Sequence, residues 1–447
     1  EEIQALFVKT FYENDYGTVG VVNEDVTCET RPLDASGQAL KIVEVTPFRL
    51  EGKYSDFRHP DSVIFSTKLE DDLQRRDFTI NAIALDPSKG QLIDPYKGQD
   101  DIKDKVMRAV GDPQERFKDD ALRLLRAVRL STDLEFGIEK ETAKAIEESA
   151  NLLSKISAER IRDEFSKIIM TDSPMQGIML CQRLGLLKYI TKEIEEGMGL
   201  EQNGDHIYDI WEHNLRALNH SADRKWPLHV RLAALFHDVG KTPTRVWNKE
   251  KDDWTFYGHD VVGGRMTENI LTRLKYPKNI VETVTKLVRY HLFFSDIEKI
   301  TLSAVRRIVK NVGPENVWDL MKVRACDRIG MGRPKETPYR LRKYESMIEE
   351  AMRSPVSVGM LKIDGKRIME VTGLPPGPKI GFTLHALLEE VLDDPNLNTE
   401  EYLEKRAKDL VSLSESELKA LGEKGKEAKA LLEEKELGAI RKKYHVK

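Results

Sequence analysis

A chain of 447 residues is too long for one hydrophobic core, so we expect two to four domains. Charged residues make up 33% and hydrophobic residues 40%, a composition typical of a soluble, helix-rich protein without a membrane span. A net charge of −5 excludes a uniformly basic surface for nucleic acid, although a local basic face stays compatible with it. Three well-separated cysteines and no visible signal peptide argue against a disulfide framework and favour a cytoplasmic location: Cys28, Cys181 and Cys326.

β-Structure is predicted only near the start of the chain. The segments "YGTVGVV" and "KIVEVTPFR" within residues 1–50 are short β-branched runs, and the polar stretch between them predicts a hairpin with a long loop. From about residue 69 onward the apolar spacing is helical, with Ser157 as a predicted N-cap and a buried helix that ends near Gly240. The last 48 residues, 400–447, alternate Glu and Lys with Leu and Ala, which predicts solvated helices.

Two clusters of opposite charges are candidates for a binding site. "DLQRRD" precedes an apolar run that carries Asn81, and such charges are costly to bury unless they pair or bind a ligand. In "DDALRLLRAVR" the three-residue spacing of Asp120 and Arg123 predicts one shared helix face, whose donors and acceptors could read a nucleobase. An exposed salt-bridge cluster and an ordinary ion pair are the alternatives. The candidate residues are Asp72, Arg75, Arg76, Asp77, Asn81, Asp119, Asp120, Arg123 and Arg126.

A second candidate site is rich in histidine and aspartate. The segments "DHIYDIWEHNL", "LFHDVGK", "YGHDVVGG", "VRYHLFF" and "RACDRIG" carry residue types that bind divalent transition metals. Asp327 is the expected closing carboxylate, while a second metal is expected at His259 and His291. Separate core histidines are the alternative, and Lys241 suits either a phosphate or solvent. The predicted ligands are His213, His237, Asp238, His259, His291 and Asp327.

These motifs together resemble the bacterial tRNA nucleotidyltransferases, the CCA-adding enzymes of the class that also contains bacterial poly(A) polymerases. The resemblance rests on "EVTPFRLEGKYSDFRHP", "EDDLQRRDFTINAIALD" and "KDDALRLLRAVRL" and runs from residue 1 to at least residue 300. It implies that Arg75, Arg76 and Asp77 hold the triphosphate and ribose of a nucleotide, supported by Asp72. It further implies that Asp120 and Arg123 select CTP and then ATP, with Asp119 and Arg126 beside them.

The resemblance also implies a Mg²⁺ site that the sequence does not complete. Relatives carry a Gly-Gly-Ser or Gly-Gly-Ala turn and an Asp-x-Asp strand that holds Mg²⁺, but no Asp-x-Asp occurs before residue 50. We therefore expect either a truncated head or a second chain that supplies the segment, and weak nucleotide binding and transfer by these 447 residues alone. Glu44 is the candidate third acidic residue, with an ordinary surface glutamate as the alternative.

The implied fold class is α+β, with a polymerase-β-like nucleotidyltransferase head that is truncated, followed by helical domains. We expect the head at 1–86, a helical neck for nucleotide selection and RNA binding at 87–190, an HD domain at 191–300, and a helical body and tail at 301–447. His213 and the pair His237–Asp238 resemble the HD pattern of metal-dependent phosphohydrolases. The implied activity is addition of CCA to tRNA, with CTP and ATP as substrates and hydrolysis of phosphate esters at the HD site. Two alternatives stay open: a poly(A) polymerase or A-adding enzyme, and an RNA-binding HD phosphohydrolase with an inactive head.

Overall fold

A computed structural model describes residues 2–7, 9–12, 17–22, 42–52, 61–204, 206–292, 300–353 and 358–446. The chain divides into two compact units: the first comprises residues 1–291 and 322–334, and the second comprises residues 292–321 and 335–447. No helix within the described ranges is both long enough and apolar enough to cross a membrane. Cys181 and Cys326 are buried free thiols, whereas Cys28 lies outside the described residues.

The start of the first unit contains five of the eleven described strands, as the β-branched runs predict, but the expectation that β-structure is confined to this part is wrong, because six short strands follow between residues 84 and 255. β1, β2 and β3 form one antiparallel sheet in that order, and β4 pairs with β5. The predicted pairing of the two sequence runs is confirmed by β2 and β3, while the polar loop between them lies outside the described residues. The elements are α1 (Glu2–Leu6), β1 (Thr10–Tyr12), β2 (Val19–Val22), β3 (Ile42–Val45), β4 (Arg49–Glu51) and β5 (Val63–Phe65).

A helical layer interrupted by short strand pairs follows. β6 and β7 form a hairpin, and β8 pairs in parallel with β9. Ser157 lies at the predicted N-cap of α7, although its hydroxyl makes no capping hydrogen bond. The elements are α2 (Leu69–Gln74), β6 (Ala84–Asp86), β7 (Gln91–Ile93), α3 (Gly98–Asp104), β8 (Val106–Met107), α4 (Pro113–Asp119), α5 (Arg123–Leu134), β9 (Gly137–Ile138), α6 (Lys140–Ser149), α7 (Ala158–Met170), α8 (Pro174–Arg183) and α9 (Lys188–Glu195).

The histidine-rich part of the first unit is a bundle of helices with one inserted hairpin. The predicted buried helix is α11, which ends before the turn that contains Gly240. β10 and β11 form the hairpin between α12 and α13. The elements are α10 (Ile210–Asp223), α11 (Leu228–Phe236), α12 (Lys241–Thr244), β10 (Val246–Asn248), β11 (Asp253–Thr255), α13 (His259–Arg273) and α14 (Lys278–Tyr290). The next helix, α15 (Leu302–Val312), belongs to the second unit, and of α16 (Val317–Gly330) residues 322–330 belong to the first.

The second unit is helical throughout its described part. Its core contains Leu387, Leu403 and Leu418, which pack between three of its last helices. α19 and α21 approach closely because α21 presents Gly422 and Gly425 to α19. The remaining elements are α17 (Tyr339–Met352), α18 (Gly365–Thr372), α19 (Pro378–Asp393), α20 (Glu400–Val411) and α21 (Glu415–Lys443).

The close approach of these helices predicts a large difference between two glycine substitutions in α21. A Cβ at Gly425 would lie 2.1 Å from the His385 carbonyl oxygen, whereas a Cβ at Gly438 would meet no atom within 4 Å. We expect Gly425→Ala to lower the free energy of unfolding of the second unit by about 1–3 kcal/mol, as overpacking does. Gly438→Ala should raise it by up to about 1 kcal/mol, because alanine favours helix over glycine. Urea unfolding measures both, and equal midpoints for the two variants would contradict the packing.

Candidate functional site

The segment "RRD" and the helix α5 meet around one ion pair. Asp77 is buried, and its Oδ2 accepts hydrogen bonds from Arg126 Nε at 2.8 Å and Nη2 at 2.6 Å. Its Oδ1 accepts from Asn81 Nδ2 at 3.1 Å and from the Phe78 backbone N–H at 2.9 Å. Burial alone would raise the pKa of Asp77, but Arg126 and Asn81 outweigh it and hold the pKa below 3.8. The ionised carboxylate therefore fixes α5 against the segment that carries the two arginines.

The two arginines of the motif are held by Asp72. Asp72 Oδ1 accepts from Arg75 Nε at 2.9 Å and Nη2 at 2.6 Å, and Oδ2 accepts from Arg76 Nη2 at 3.3 Å. Arg123 Nη2 donates to the Arg75 carbonyl at 2.9 Å, so α5 also braces the backbone of the motif. The Arg76 side chain stays 45% exposed and is free to contact a ligand with its remaining N–H groups.

The expectation that Asp120 and Arg123 share one helix face is wrong. α4 ends at Asp119, Asp120 has extended backbone angles, and α5 begins at Arg123. Asp120 Oδ1 accepts from the Leu122 backbone N–H at 3.0 Å, an interaction that competes with a continuous helix. Asp120 Oδ2 pairs with Arg160 Nη2 at 2.8 Å rather than with Arg123.

Both side chains nevertheless line one cavity of about 710 Å³. Asp119 lies outside its lining, 3.2 Å from Arg116 and 3.8 Å from Arg123, and burial raises the pKa of Asp119. Seven arginines and three carboxylates line the cavity, an excess of four positive charges that suits a polyanion. The charged lining residues are Arg49, Arg75, Arg76, Arg123, Arg126, Arg129, Arg160, Glu44, Asp77 and Asp120.

Sequence reasoning missed Arg160 in this cavity. Arg160 is on α7, 40 residues after the aspartate it pairs with, and one of its guanidinium nitrogens, Nη1, is buried without a hydrogen-bond partner in the described structure. One feature of the sequence could have indicated Arg160: it lies in the first turn of the helix whose N-cap was predicted at Ser157. Such a turn presents side chains to whatever lies beyond the helix end.

Glu44 lines the cavity as an exposed side chain on β3. Among the described residues, the groups of three or more potential metal ligands all lie around Asp238, and none includes Glu44. The role of Glu44 as a ligand of Mg²⁺ therefore stays a prediction.

The predicted histidines and aspartates do come together, at the ends and faces of five helices. His213 is in the first turn of α10 and Asp327 is on α16, while the pair His237–Asp238 follows the end of α11. Because these two neighbours lie in a turn rather than within a helix, both side chains can point to one place. The turn is close to α13: a Cβ at Gly240 would lie 2.1 Å from the His259 carbonyl oxygen, so the approach requires glycine.

Asp238 is shared by two groups of ligand atoms. Its Oδ2 lies 3.0 Å from His213 Nε2 and 3.3 Å from His237 Nε2, and Asp327 Oδ1 lies 3.4 Å from His213 Nε2. Its Oδ1 lies 3.3 Å from His259 Nε2 and 3.4 Å from His291 Nε2. All six residues are buried, and within each group the ligand atoms lie within 4.8 Å of one another. One carboxylate therefore faces two potential metal positions.

The histidine tautomers fit a bound cation. In His237, His259 and His291 the Nδ1 atom lies 2.6 to 2.8 Å from the backbone carbonyl three residues earlier, which requires Nδ1 to donate. In the neutral ring each Nε2 then carries a lone pair on the side of Asp238, and among the described atoms His259 Nε2 has no hydrogen-bond partner. His213 Nε2 and His237 Nε2 are only 2.9 Å apart. Lone pairs and carboxylates in this arrangement repel unless a proton or a metal ion lies between them.

The electrostatics of the cluster also favour positive charge. Burial lowers the pKa of His237, yet Asp238 and Asp327 outweigh this and raise it to about 10. Burial would raise the pKa of both carboxylates, but Lys241 beside Asp238 and Arg324 beside Asp327 keep each pKa well below its usual range. Two ionised carboxylates with the neutral imidazole His291, whose pKa burial lowers, are the donor set that transition metals prefer.

Lys241 is part of this site and is not a solvated lysine. It is buried, its Nζ lies 2.6 Å from Asp238 Oδ2, and it donates to Gln202 Oε1 at 2.6 Å. Gln202 and His206, whose Nε2 lies 3.5 Å from Lys241 Nζ, were missed because they come from a loop with no periodic pattern.

The chain combines a cationic cavity of nucleotide size with a buried His/Asp cluster, an arrangement that fits a nucleotidyltransferase joined to an HD domain. Three family models match consecutive regions: the poly A polymerase head domain at 7–108, the probable RNA and SrmB-binding site of polymerase A at 135–198, and the HD domain at 206–332. Two relatives and one solved structure are similar over most of the chain.

The A-adding tRNA nucleotidyltransferase of Deinococcus radiodurans is 35% identical over 74% of this chain and 76% of its own length. The CC-adding tRNA nucleotidyltransferase of Thermus thermophilus is 34% identical over 83% of this chain and 88% of its own. The Bacillus stearothermophilus CCA-adding enzyme in complex with CTP is 26% identical, with a TM-score of 0.55 over 91% of this chain and 85% of that one. The chain belongs to the tRNA nucleotidyltransferase family, which confirms the predicted family and α+β fold class. The four domain boundaries stay predictions.

The ion pair of Asp77 generates a prediction for stability against pH. Because the pKa of Asp77 is depressed in the folded state, its contribution is complete above the unfolded value of about 3.9 and is lost as pH falls through the folded value. Asp77→Asn should lower the free energy of unfolding by about 1.5–3 kcal/mol at pH 7, the range for hydrogen bonds to charged groups. The difference in free energy of unfolding between wild type and Asp77→Asn should become smaller below pH 4.

Urea unfolding at pH 7 and at pH 3 measures this difference. Asp133→Asn is the matched control, since Asp133 is an exposed aspartate on the same helix as Arg126. A gap between wild type and Asp77→Asn that stays constant at both pH values would count against the ion pair.

Proposed function

We propose that this chain adds cytidylate and adenylate to the 3′ end of tRNA to complete its CCA sequence. The carrying observation is the cavity with seven arginines and three carboxylates, which offers charge for a triphosphate beside a polar edge for a base. The similarity to an enzyme solved with CTP supports the same substrate class. A narrower A-adding or CC-adding activity is the alternative, because relatives with each of these names are similarly close.

Within this proposal the residues have distinct roles. Arg75 and Arg76, oriented by Asp72, bind phosphate oxygens, and Asp77 with Asn81 holds the segment and contacts the ribose. Arg126 fixes Asp77. Guanidinium groups suit the phosphates because their fork of N–H donors matches two oxygens at once.

Asp120 and Arg123 read the base edge in the proposed site. Arg123 is rigid because its guanidinium also bonds two backbone carbonyls, those of Arg75 and Arg116. Asp120 is polarised by Arg160, so a base must either share the carboxylate with that guanidinium or contact Arg160 as well. Asp119, held between two arginines, supports the position of Arg123.

The head would also use Mg²⁺ for transfer, as the predicted activity requires, with Glu44 as the proposed ligand in this chain. Glu44 belongs to no group of three potential metal ligands among the described residues of the head. The Arg-rich cavity by itself binds and orients the nucleotide, which lowers the entropic part of the barrier to transfer.

The activity is tested by incorporation of labelled CMP and AMP into tRNA that ends before CCA, after C or after CC. A CCA-adding enzyme extends all three with the proper nucleotides, whereas an A-adding or CC-adding enzyme extends only its own subset. The assay uses the 447-residue chain and the same chain fused behind a segment that carries Gly-Gly-Ser and Asp-x-Asp. Extension of a non-tRNA primer by many adenylates would instead indicate a poly(A) polymerase.

In the same assay Asp120→Ala should reduce the discrimination between CTP and ATP more than it lowers total incorporation. Removing a carboxylate from a base-reading edge typically costs about 1–3 kcal/mol of discrimination, or about 5- to 150-fold. Asp112→Ala is the matched control, because Asp112 also bonds a backbone N–H at a helix start but does not line the cavity. If the Asp120 variant loses rate and keeps its preference, base selection lies elsewhere.

We further propose that the HD domain binds divalent transition metal and hydrolyses phosphate esters, either phosphomonoesters or 2′,3′-cyclic phosphates. The carrying observation is the shared carboxylate of Asp238 between two sets of imidazole lone pairs. His213, His237 and Asp327 would hold one ion with Asp238, and His259 and His291 the other. Bound there, the metal would polarise the ester and lower the pKa of a water molecule. Lys241 would bind a phosphate oxygen beside the cluster.

His237→Ala should remove a ligand, lower the bound metal and abolish hydrolysis, with little loss of folding because α11 keeps its apolar face. Elemental analysis of untagged protein after incubation with Ni²⁺, Mn²⁺ or Co²⁺ and dialysis measures the metal, and a phosphatase assay measures activity. We expect close to two equivalents per chain in wild type, one for each ligand group. The matched control is His220→Ala, on the same helix as His213 but outside the cluster.

Two results would contradict the metal proposal. One is metal well below one equivalent in wild type together with no hydrolysis. The other is a His237→Ala variant that keeps its metal and loses mainly thermal stability, because that is the behaviour of a core histidine.

A further inference from the structure

One exposed feature of the first unit has no structural explanation in packing. The hairpin of β10 and β11 places Trp247 directly opposite Trp254, with ring centroids 5.0 Å apart in an edge-to-face arrangement. Trp247 is 44% exposed, its neighbour Val246 is 61% exposed, and Tyr257 just after the hairpin is 72% exposed. Large aromatic rings gathered on a two-stranded hairpin lose the benefit of burial, and exposed apolar patches of this kind usually mark a binding surface. We call residues 245–257 the aromatic hairpin.

Cations are interleaved with the rings of the aromatic hairpin. The Arg245 guanidinium carbon lies 3.4 Å from the centroid of the Trp254 ring, in stacking contact. Lys251 Nζ donates to the Tyr257 hydroxyl at 3.0 Å. These contacts hold the rings in place, so the side chains lose less conformational entropy when a ligand stacks on them.

The net charge of the aromatic hairpin does not suit binding along the phosphate backbone of a long nucleic acid. Its cations are balanced by equally many carboxylates, so it does not supply the excess positive charge with which proteins follow a long phosphate backbone. Stacking of one or two bases needs no such excess, because every base presents an apolar face. The balanced residues are Arg245, Lys249 and Lys251 against Glu250, Asp252 and Asp253.

Both ends of the aromatic hairpin are close in sequence to residues of the His/Asp cluster and its surroundings. Its first residue, Arg245, follows Lys241 by four positions, and Arg245 Nε donates to the Glu201 carbonyl at 3.2 Å, next to the Gln202 that bonds Lys241. Its last residue, Tyr257, precedes the ligand residue His259 by two positions. The base of the aromatic hairpin therefore adjoins the proposed hydrolytic site, and within it Lys241 Nζ lies 5.6 Å from the centroid of the Phe256 ring.

We propose that the aromatic hairpin stacks the base of a ribonucleotide whose phosphate ester lies at the His/Asp cluster. The proposal deepens and rests on the hydrolytic function proposed above, and it names the substrate class: phosphate esters of nucleotides, free or at an RNA 3′ end, in preference to esters without a base. For a 2′,3′-cyclic phosphate, water oxygen forms a bond to phosphorus and one phosphorus–ribose oxygen bond breaks. The released ribose oxygen takes the proton, and a phosphomonoester remains.

The first test compares hydrolysis of cytidine and adenosine 2′,3′-cyclic phosphate with that of glycerol 1,2-cyclic phosphate, which has no base. Trp247→Ala should raise KM for the nucleotides about ten-fold or more, from a stacking contribution of about 1–3 kcal/mol, and leave glycerol cyclic phosphate unchanged. Trp247→Phe should keep most of the wild-type affinity for the nucleotides, because phenylalanine retains an aromatic ring. Val246→Ala is the matched control, an exposed hairpin residue without a ring.

The second test does not depend on activity. Tryptophan fluorescence of the chelator-treated protein is titrated with cytidine 3′-phosphate, with a four-nucleotide RNA that ends in a 3′-phosphate, and with glycerol 2-phosphate. Quenching by the two nucleotide ligands, with little dependence on salt and with loss in Trp247→Ala, supports the proposal. A stronger effect of the RNA than of the mononucleotide identifies an RNA end as the occupant, and equal effects identify a free nucleotide.

The outcomes separate this inference from the function on which it rests. No hydrolysis of either ester, with nucleotide quenching intact, would overturn the hydrolytic function and leave base stacking standing. The stacking proposal would be overturned if Trp247→Ala and Val246→Ala lost nucleotide binding equally. It would also be overturned if the wild type bound ligands with and without a base equally well.

Discussion

The ion pair between Asp77 and Arg126 is the interaction on which the nucleotide cavity depends. It joins residues 49 positions apart in sequence and buries a carboxylate whose oxygens are both used: one by the guanidinium, the other by Asn81 and a backbone N–H. A buried pair is favourable only when it is bonded this fully, since a lone buried charge costs several kcal/mol, on the order of the stability of a small domain. Because α5 is fixed in this way, Arg123 reaches the backbone of the arginine motif, and Arg76 and Arg126 line the same cavity.

The second site has the opposite imbalance of charge. Around Asp238 the unused groups are acceptors, namely imidazole lone pairs and carboxylate oxygens, so the cluster needs a cation where the head cavity needs an anion. Backbone carbonyls select the histidine tautomers from outside the cluster, which means that the helix ends themselves hold the site in its cation-binding form. Lys241 supplies part of the missing positive charge at one carboxylate oxygen. Each site is thus built from groups whose charges are incompletely compensated within the protein, and the sign of the imbalance indicates the ligand.

The sequence predicted the members of both sites better than their arrangement. Residue types and local spacing were sufficient to find "RRD", the Asp/Arg cluster and the His/Asp ligands, because charged groups beside apolar runs are unusual. Helical spacing failed at Asp120, where a side-chain bond to the backbone ends one helix before Arg123 begins the next, a break that a periodic pattern does not register. Arg160 and Gln202 escaped notice because their partners are about 40 residues away. The hairpin of β10 and β11 was missed because the chain from about residue 69 onward was predicted to be helical.

Helix α7 links the two sites. Its first turn carries Arg160, which enters the nucleotide cavity, and its C-terminal end is held by Arg231 of α11, which donates to the carbonyls of Ile169 at 3.0 Å and Thr171 at 2.8 Å. These are carbonyls that the end of a helix leaves without partners, so the guanidinium satisfies them and attaches α7 to the helix that leads into His237 and Asp238. The sites share no side chain, yet they share a packed scaffold. Communication between them would require a second arrangement of that scaffold. A buried guanidinium of α11 that bonds the end of α7 favours a single arrangement, so the nucleotide selection and the ester hydrolysis proposed for the two sites would be independent of each other within one compact unit.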